Sequence, residues 1–269
     1  RRCRNKGTLV FRPRHGTRFP LQADAKHPDR ANCARVLWLK SYLPFGPRLG
    51  NGNPDTRSRS APAMQQPEYR QRLYRRYLET GGGDISMTTP EQAPAGLRDM
   101  LRHVIAGYLP GDKGAQIVEL GCGMGLLVYF ARQAGFTNIR GVDMSPQMVA
   151  AARRLDIDGI EEGDAIGALE SLDPESHEAV ISFDVLEHLK RDEMIQLIDE
   201  VRRVLKPGGR WIIHTVNAEA PFFGRVRFGD LTHEQAFTQA SLRQILLASD
   251  FSSIACYEDA PIPGRPAAM

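Results

Sequence analysis

Three carboxylates and a run of glycines are spaced as a nucleoside site would need them. The segment Val118-Glu119-Leu120-Gly121-Cys122-Gly123-Met124-Gly125 closes a short apolar run, and its glycines let a ligand approach the backbone closely. Asp143 follows Gly123 by 20 residues, at the end of a second apolar run, where a carboxylate can accept both hydrogen bonds of a ribose diol. Asp164, in Glu161-Glu162-Gly163-Asp164-Ala165, offers an acceptor for an adenine amino group. Taken singly these signals are ambiguous: a glycine-rich turn also serves dinucleotides or a tight corner, Glu119 suits a helix terminus, and Asp143 suits an N-cap. Their order along the chain favours one shared crevice. His214 and His233 are candidate general bases, since imidazole accepts protons near neutral pH. Cys122 reads as a small loop residue with nothing beside it in sequence to activate a thiolate. Glu187 and His188 read as capping and orienting the next helix.

These residues must be carried by strands and helices that alternate. Short apolar strands are expected near 116–120, 138–142, 157–161, 178–183, 210–216 and 252–257, with helices near 124–134, 146–155, 164–171, 190–205 and 239–249 between them. Ser145-Pro146 and Thr238 are start signals, and Gly208-Gly209 is a stop. Upstream, Leu97, Met100, Leu101, Val104, Ile105, Tyr108 and Leu109 recur at helical spacing, as do Tyr69, Leu73, Tyr77 and Leu78 among arginines. The fold class is therefore α/β: a doubly wound, mostly parallel sheet with helices on both faces.

Together, Glu119–Gly125, Asp143, Asp164, Phe183-Asp184-Val185-Leu186-Glu187-His188-Leu189 and Leu205-Lys206-Pro207-Gly208-Gly209 resemble the ordered motifs of Rossmann-like (class I) methyltransferases over roughly residues 90–260. The resemblance implies S-adenosyl-L-methionine as cofactor. It places Glu119 and the loop of Gly121, Cys122 and Gly123 along the methionine part, Asp143 with Met144 at the ribose, and Asp164 with Ala165 at the adenine. Phe183 and Asp184 would border the sulfonium. A dinucleotide oxidoreductase is the competing reading of the loop, but its G-x-G-x-x-G pattern would need glycine where Leu126 stands. The family also implies an antiparallel seventh strand. After Tyr257 the sequence holds three prolines and no alternating apolar run, so that strand is expected to be missing, through truncation.

The segment from Phe228 to Thr238 (Phe-Gly-Asp-Leu-Thr-His-Glu-Gln-Ala-Phe-Thr) is similar to one in bacterial glycan-pathway methyltransferases, which makes a hydroxyl on a sugar or small molecule the expected acceptor. A structural loop, with Asp230 and His233 bonded to backbone, is the plainer alternative.

Charge is distributed unevenly. The net charge is only +3, yet residues 1–60 hold 14 Lys and Arg against three Asp, with no Ile, Met or Glu, and show no sustained apolar period. Residues 1–63 are expected to be disordered or foreign to the native protein, since the first methionine is Met64; the functional alternative is a basic arm for RNA. Residues 64–110 are expected to cover the cofactor site, and 111–269 to form the catalytic domain. Nucleic acid is not the expected partner, because 61–269 carries 29 acidic against 21 basic residues. Four well-separated cysteines, without CxxC or zinc-type spacing, give no expectation of metal. With no membrane-length apolar run and no signal segment, a cytoplasmic protein is expected. An RNA methyltransferase and a non-catalytic cofactor-binding homologue remain as alternatives.

Overall fold

A computed structural model of the chain describes residues 33–38, 68–77, 79 and 86–258. Seven strands form one sheet in the order β4-β3-β2-β5-β6-β1-β7. They are β1 (Cys33–Trp38), β2 (Ile117–Leu120), β3 (Ile139–Asp143), β4 (Ile160–Glu162), β5 (His177–Phe183), β6 (Leu205–Thr215) and β7 (Ser253–Glu258). Every pairing is parallel. The helices are α1 (Glu68–Arg75), α2 (Ala95–Tyr108), α3 (Leu126–Gln133), α4 (Pro146–Arg154), α5 (Ala165–Glu170), α6 (Arg191–Val204), α7 (Phe223–Gly229) and α8 (Gln239–Ala248).

Because successive strand residues point to opposite faces, the apolar runs divide between two cores. Ile117, Ala179, Ile181 and Ile212 pack with α2, α3 and α4 on one face. Val118, Val180, Trp211 and Ile213 pack with α6 and α8 on the other. Buried Trp211 donates its Nε1–H to the Ser182 hydroxyl (3.0 Å), so the indole nitrogen is satisfied inside the sheet. The chain runs outward from β2 to β4, then resumes on the far side of β2 with β5. Between β2 and β5 lies the topological switch point, where the carboxyl ends of parallel strands leave a crevice.

The elements expected after residue 111 fall within a few residues of their places, whereas α7 lies where a loop was expected. Two expectations are corrected. Residues 33–38, expected to have no stable fold, form β1, which pairs Cys33 with Arg210 of β6 and with Ser253 of β7. Ala34 is fully buried in the second core, and Arg35 lies 5.9 Å from the Tyr108 ring on the other side. The expected gap beside β7 is thus filled by a parallel strand from the start of the chain, not by an antiparallel one from its end. The remainder of 1–63 and the segment after Glu258 lie outside the described residues. Secondly, Leu205-Lys206-Pro207-Gly208-Gly209 is drawn into the beginning of β6, whose pairing with β5 shifts register between His177 and Ala179. Among the described residues no helix is long and apolar enough to cross a membrane.

Candidate active site

The glycine loop runs from the end of β2 into α3. Gly121, Gly123 and Gly125 all have positive φ, a conformation costly for residues with a Cβ. At Gly121 a Cβ would also lie 2.5 Å from Val185 Cγ2, so packing explains that glycine. Around Gly123 a Cβ would meet nothing within 4 Å: its bare face opens onto free space at the crevice.

Asp143, at the end of β3, holds this loop in shape. Its Oδ2 accepts from the Gly123 amide (2.7 Å) and its Oδ1 from that of Ser145 (2.8 Å). The N-cap of α4 is Ser145, whose hydroxyl accepts from Met148, so Asp143 is not the capping residue. Each Asp143 oxygen keeps acceptor capacity for a diol. Burial raises its pKa, while the two amides pull it back down. Met144 follows in the same turn.

Glu119 is buried in β2, and its Oε2 has no hydrogen-bond partner. Burial, with the Asp143 charge second, pushes its carboxyl up to about 8. A buried, orphaned carboxylate oxygen beside an open glycine cradle is what a ligand ammonium would satisfy. Burial first, then the charges of Glu119 and Asp143, also hold the Cys122 thiol far above its ordinary range, so Cys122 is no nucleophile. Asp164 is exposed and N-caps α5, accepting from Gly167 (2.8 Å), with Ala165 beginning that helix. It is tied to the crevice through its neighbour, whose Gly163 amide donates to the Asp143 carbonyl (3.0 Å).

Across the switch point, Phe183 stacks on His214, with centroids 4.7 Å apart and planes 8° from parallel. His214 Nδ1 is 2.7 Å from Asp184 Oδ1. Asp184 has a left-handed backbone (φ 52°), uncommon outside glycine and typical of functional turns. Its side chain is half accessible. Burial would raise its pKa, but His214, through charge and hydrogen bond, and then His188 and His233 hold it below the usual range.

A polar cluster converges on Asp184 that sequence spacing did not reveal. Glu187 and His188 do not cap α6: its N-cap is Lys190, whose amide is taken by Glu193 (2.7 Å). Instead Glu187, fully buried, accepts from the Thr215 hydroxyl (2.9 Å), and its carbonyl accepts from Glu234 and Gln235, pinning the loop after α7. His188 Nδ1 lies 2.9 Å from Thr232 Oγ1, and His233 Nδ1 lies 3.0 Å from the Val226 carbonyl. Asp230 accepts from the Thr232 amide and hydroxyl and from Tyr77 of the turn after α1. Loop-internal bonding of Asp230 and His233 therefore exists, and the same loop brings His233 against His188, with centroids 4.7 Å apart. The helix α1 is fixed over this cluster by buried Arg70, which chelates Glu193 (2.8 Å to each oxygen) and donates to the His188 carbonyl.

Comparison with known proteins agrees with this geometry. A family model described as a methyltransferase domain matches residues 118–213, from β2 to β6. Residues 118–213 carry a methyltransferase domain. A Xylella fastidiosa ubiquinone biosynthesis O-methyltransferase is 31% identical over 108 residues, covering 39% of this chain and 43% of the relative. A ribosomal protein L11 methyltransferase from Methylococcus capsulatus is 28% identical over 111 residues, 40% of this chain and 35% of the relative. The chain thus spans less than half the length of these relatives. A solved S-adenosylmethionine-dependent methyltransferase from Archaeoglobus fulgidus superposes with TM-score 0.53 at 20% identity, covering 68% of this chain and 74% of that one, a likeness of fold. In this methyltransferase domain S-adenosylmethionine, when bound, supplies a methyl group already activated on a sulfonium. The residues present fit it: Glu119 would take the amino group, the Gly121–Gly123 loop the methionine chain, and Asp143 the ribose.

Proposed function

We propose that the domain methylates a hydroxyl oxygen of a polar small-molecule or glycan acceptor. The observation that carries this reading is the Asp184–His214 pair at the ends of β5 and β6, across the switch point from the glycine loop. Asp184 accepts Nδ1–H; Nε2 is enclosed in the unliganded protein and, once the residues over it shift for a bound acceptor, is the atom that takes the acceptor's proton, as an oxygen nucleophile needs and a stronger nucleophile does not. Phe183, stacked on the imidazole, fixes its plane. With Nδ1 held by Val226, His233 stands as a second candidate base as long as its Nε2 lone pair is not engaged elsewhere. The remaining work is alignment and exclusion of water, which α1 and the 230–235 loop perform by closing over His188. Partly buried hydroxyl, imidazole and carboxylate groups of Tyr77, His188 and Asp230, backed by the buried Thr232 hydroxyl, favour a polar acceptor. The relatives named as O-methyltransferases support oxygen as the target.

The test is transfer of labelled methyl from S-adenosylmethionine to a panel of sugars, phenols and amines. Expected is incorporation into hydroxyl acceptors only, falling roughly 100-fold or more in His214→Gln. Incorporation into amines, or an unchanged rate in His214→Gln, overturns the reading. Intact cofactor binding with no transfer to any acceptor would favour a non-catalytic homologue.

A further inference from the structure

We propose that Glu187, His188 and His233 form a divalent-cation site. One ligating atom from each lies within 4.8 Å of the others, a spacing that small side-chain rotations convert into metal bonds of about 2.1 Å.

The hydrogen bonds around the histidines fix which atoms face the centre. His233 donates Nδ1–H to the Val226 carbonyl, which can only accept. The Thr232 hydroxyl spends its proton on Asp230 (2.6 Å), so toward His188 it is an acceptor and Nδ1 of that ring carries the hydrogen. Both rings therefore keep the Nε2 lone pair, and each is oriented by an outer partner as metal-binding histidines regularly are. The third ligand is a carboxylate with one oxygen engaged by Thr215. Its other oxygen, Oε1, is buried with no donor to it, beside the Asp184 carboxyl, in a side chain that is fully enclosed. A cation between that oxygen and two imidazoles would satisfy a group the protein alone leaves unpaired.

Two histidines and one carboxylate on one side of an ion leave coordination positions open on the other, the pattern of catalytic rather than structural sites. Tyr74 and Asp184 lie beside the same histidines, so an acceptor oxygen held near them could complete the coordination; that role rests on the hydroxyl-acceptor reading, whereas cation binding does not. His₂-carboxylate donors suit Zn2+, Mn2+, Fe2+ or Co2+ better than Ca2+ or Mg2+.

Metal-stripped full-length protein would be titrated calorimetrically with Zn2+ and Mn2+, and the visible spectrum of its Co2+ form recorded, with S-adenosylhomocysteine titrated in parallel. Expected are one equivalent of cation, a Co2+ spectrum of low-symmetry nitrogen and oxygen ligation, loss of binding in His233→Ala, and an affinity about 10- to 100-fold lower in Thr232→Ala, which removes an outer partner. Homocysteine-product binding should change less than about twofold in these variants. Absence of stoichiometric cation in wild-type protein that binds S-adenosylhomocysteine overturns the site, as does equal affinity in His233→Ala. Cation bound at the site without methylation of any hydroxyl would leave the site standing and sink the acceptor reading instead.

Discussion

Binding of S-adenosylhomocysteine should be strongly pH-dependent because Glu119 must ionise to receive its ammonium. Burial and Asp143 raise the Glu119 carboxyl from 4.5 to about 8. Removing its proton before binding then costs about 1.4 kcal/mol at pH 7 and about 2.7 kcal/mol at pH 6, falling to a few tenths at pH 8. Kd should drop roughly fiftyfold between pH 6 and pH 8, with about one proton released per complex at the acid end. Calorimetry in buffers of different ionisation enthalpy counts that proton directly. The stability of the unliganded protein moves the opposite way. The folded chain keeps a proton that the unfolded chain has lost between 4.5 and about 8, so Glu119 contributes less favourably as pH rises through that window, by about 3 kcal/mol at pH 7. In Glu119→Gln both profiles should flatten, the unliganded protein should melt higher at pH 8, and affinity at pH 8 should fall. A wild-type Kd constant within twofold from pH 6 to pH 8, or the same slope in Glu119→Gln, would refute the assignment of Glu119 to the ammonium.

Other outcomes follow from the same geometry. Asp143→Ala removes the acceptor of two loop amides and the expected diol partner, and should weaken S-adenosylhomocysteine about 10- to 100-fold by titration, with NAD binding absent in either form. Gly125→Ala combines a left-handed φ of 79° with a Cβ 2.7 Å from Ile160 Cδ1, and should lower stability by about 2–4 kcal/mol in urea unfolding. Deleting residues 1–63 removes β1, so the melting midpoint should fall by at least about 5 °C; an unchanged midpoint would contradict the strand order.

The cofactor half of the site was legible because it is written locally. Its residues lie in or just after strands, and the short runs Ile117–Leu120, Ile139–Asp143 and His177–Phe183, largely buried on both faces as parallel strands are, mark where those strands lie. The acceptor half was not, for a different reason in each case. His188 and His233 meet only because the Glu187 carbonyl ties down Glu234 and Gln235, a closure that no spacing encodes. Glu187 looked like a helix cap, but Lys190 and Glu193 supply that cap three residues later and leave it free to turn inward. Arg70 stood among other arginines of one amphipathic helix; its burial depends on Glu193, far along the chain. Cys33–Trp38 is six residues with a charge inside, in Arg- and Pro-rich surroundings, and its strand propensity counts only once neighbouring strands offer their edges.

That strand also sets an order of events in biosynthesis. Among the described residues β7 pairs with β1 alone, and β1 reaches the sheet through β6, so the last strand is joined to the others by the first. A ribosome releases Cys33–Trp38 long before Arg210 or Ser253 exists. The segment must wait unpaired, with Ala34 exposed, while the half of the sheet from β2 to β5 assembles. Closing a loop of that length comes late and slowly, and until it happens the nascent chain offers two open strand edges, the period when a chaperone or a second nascent copy would find it most adhesive.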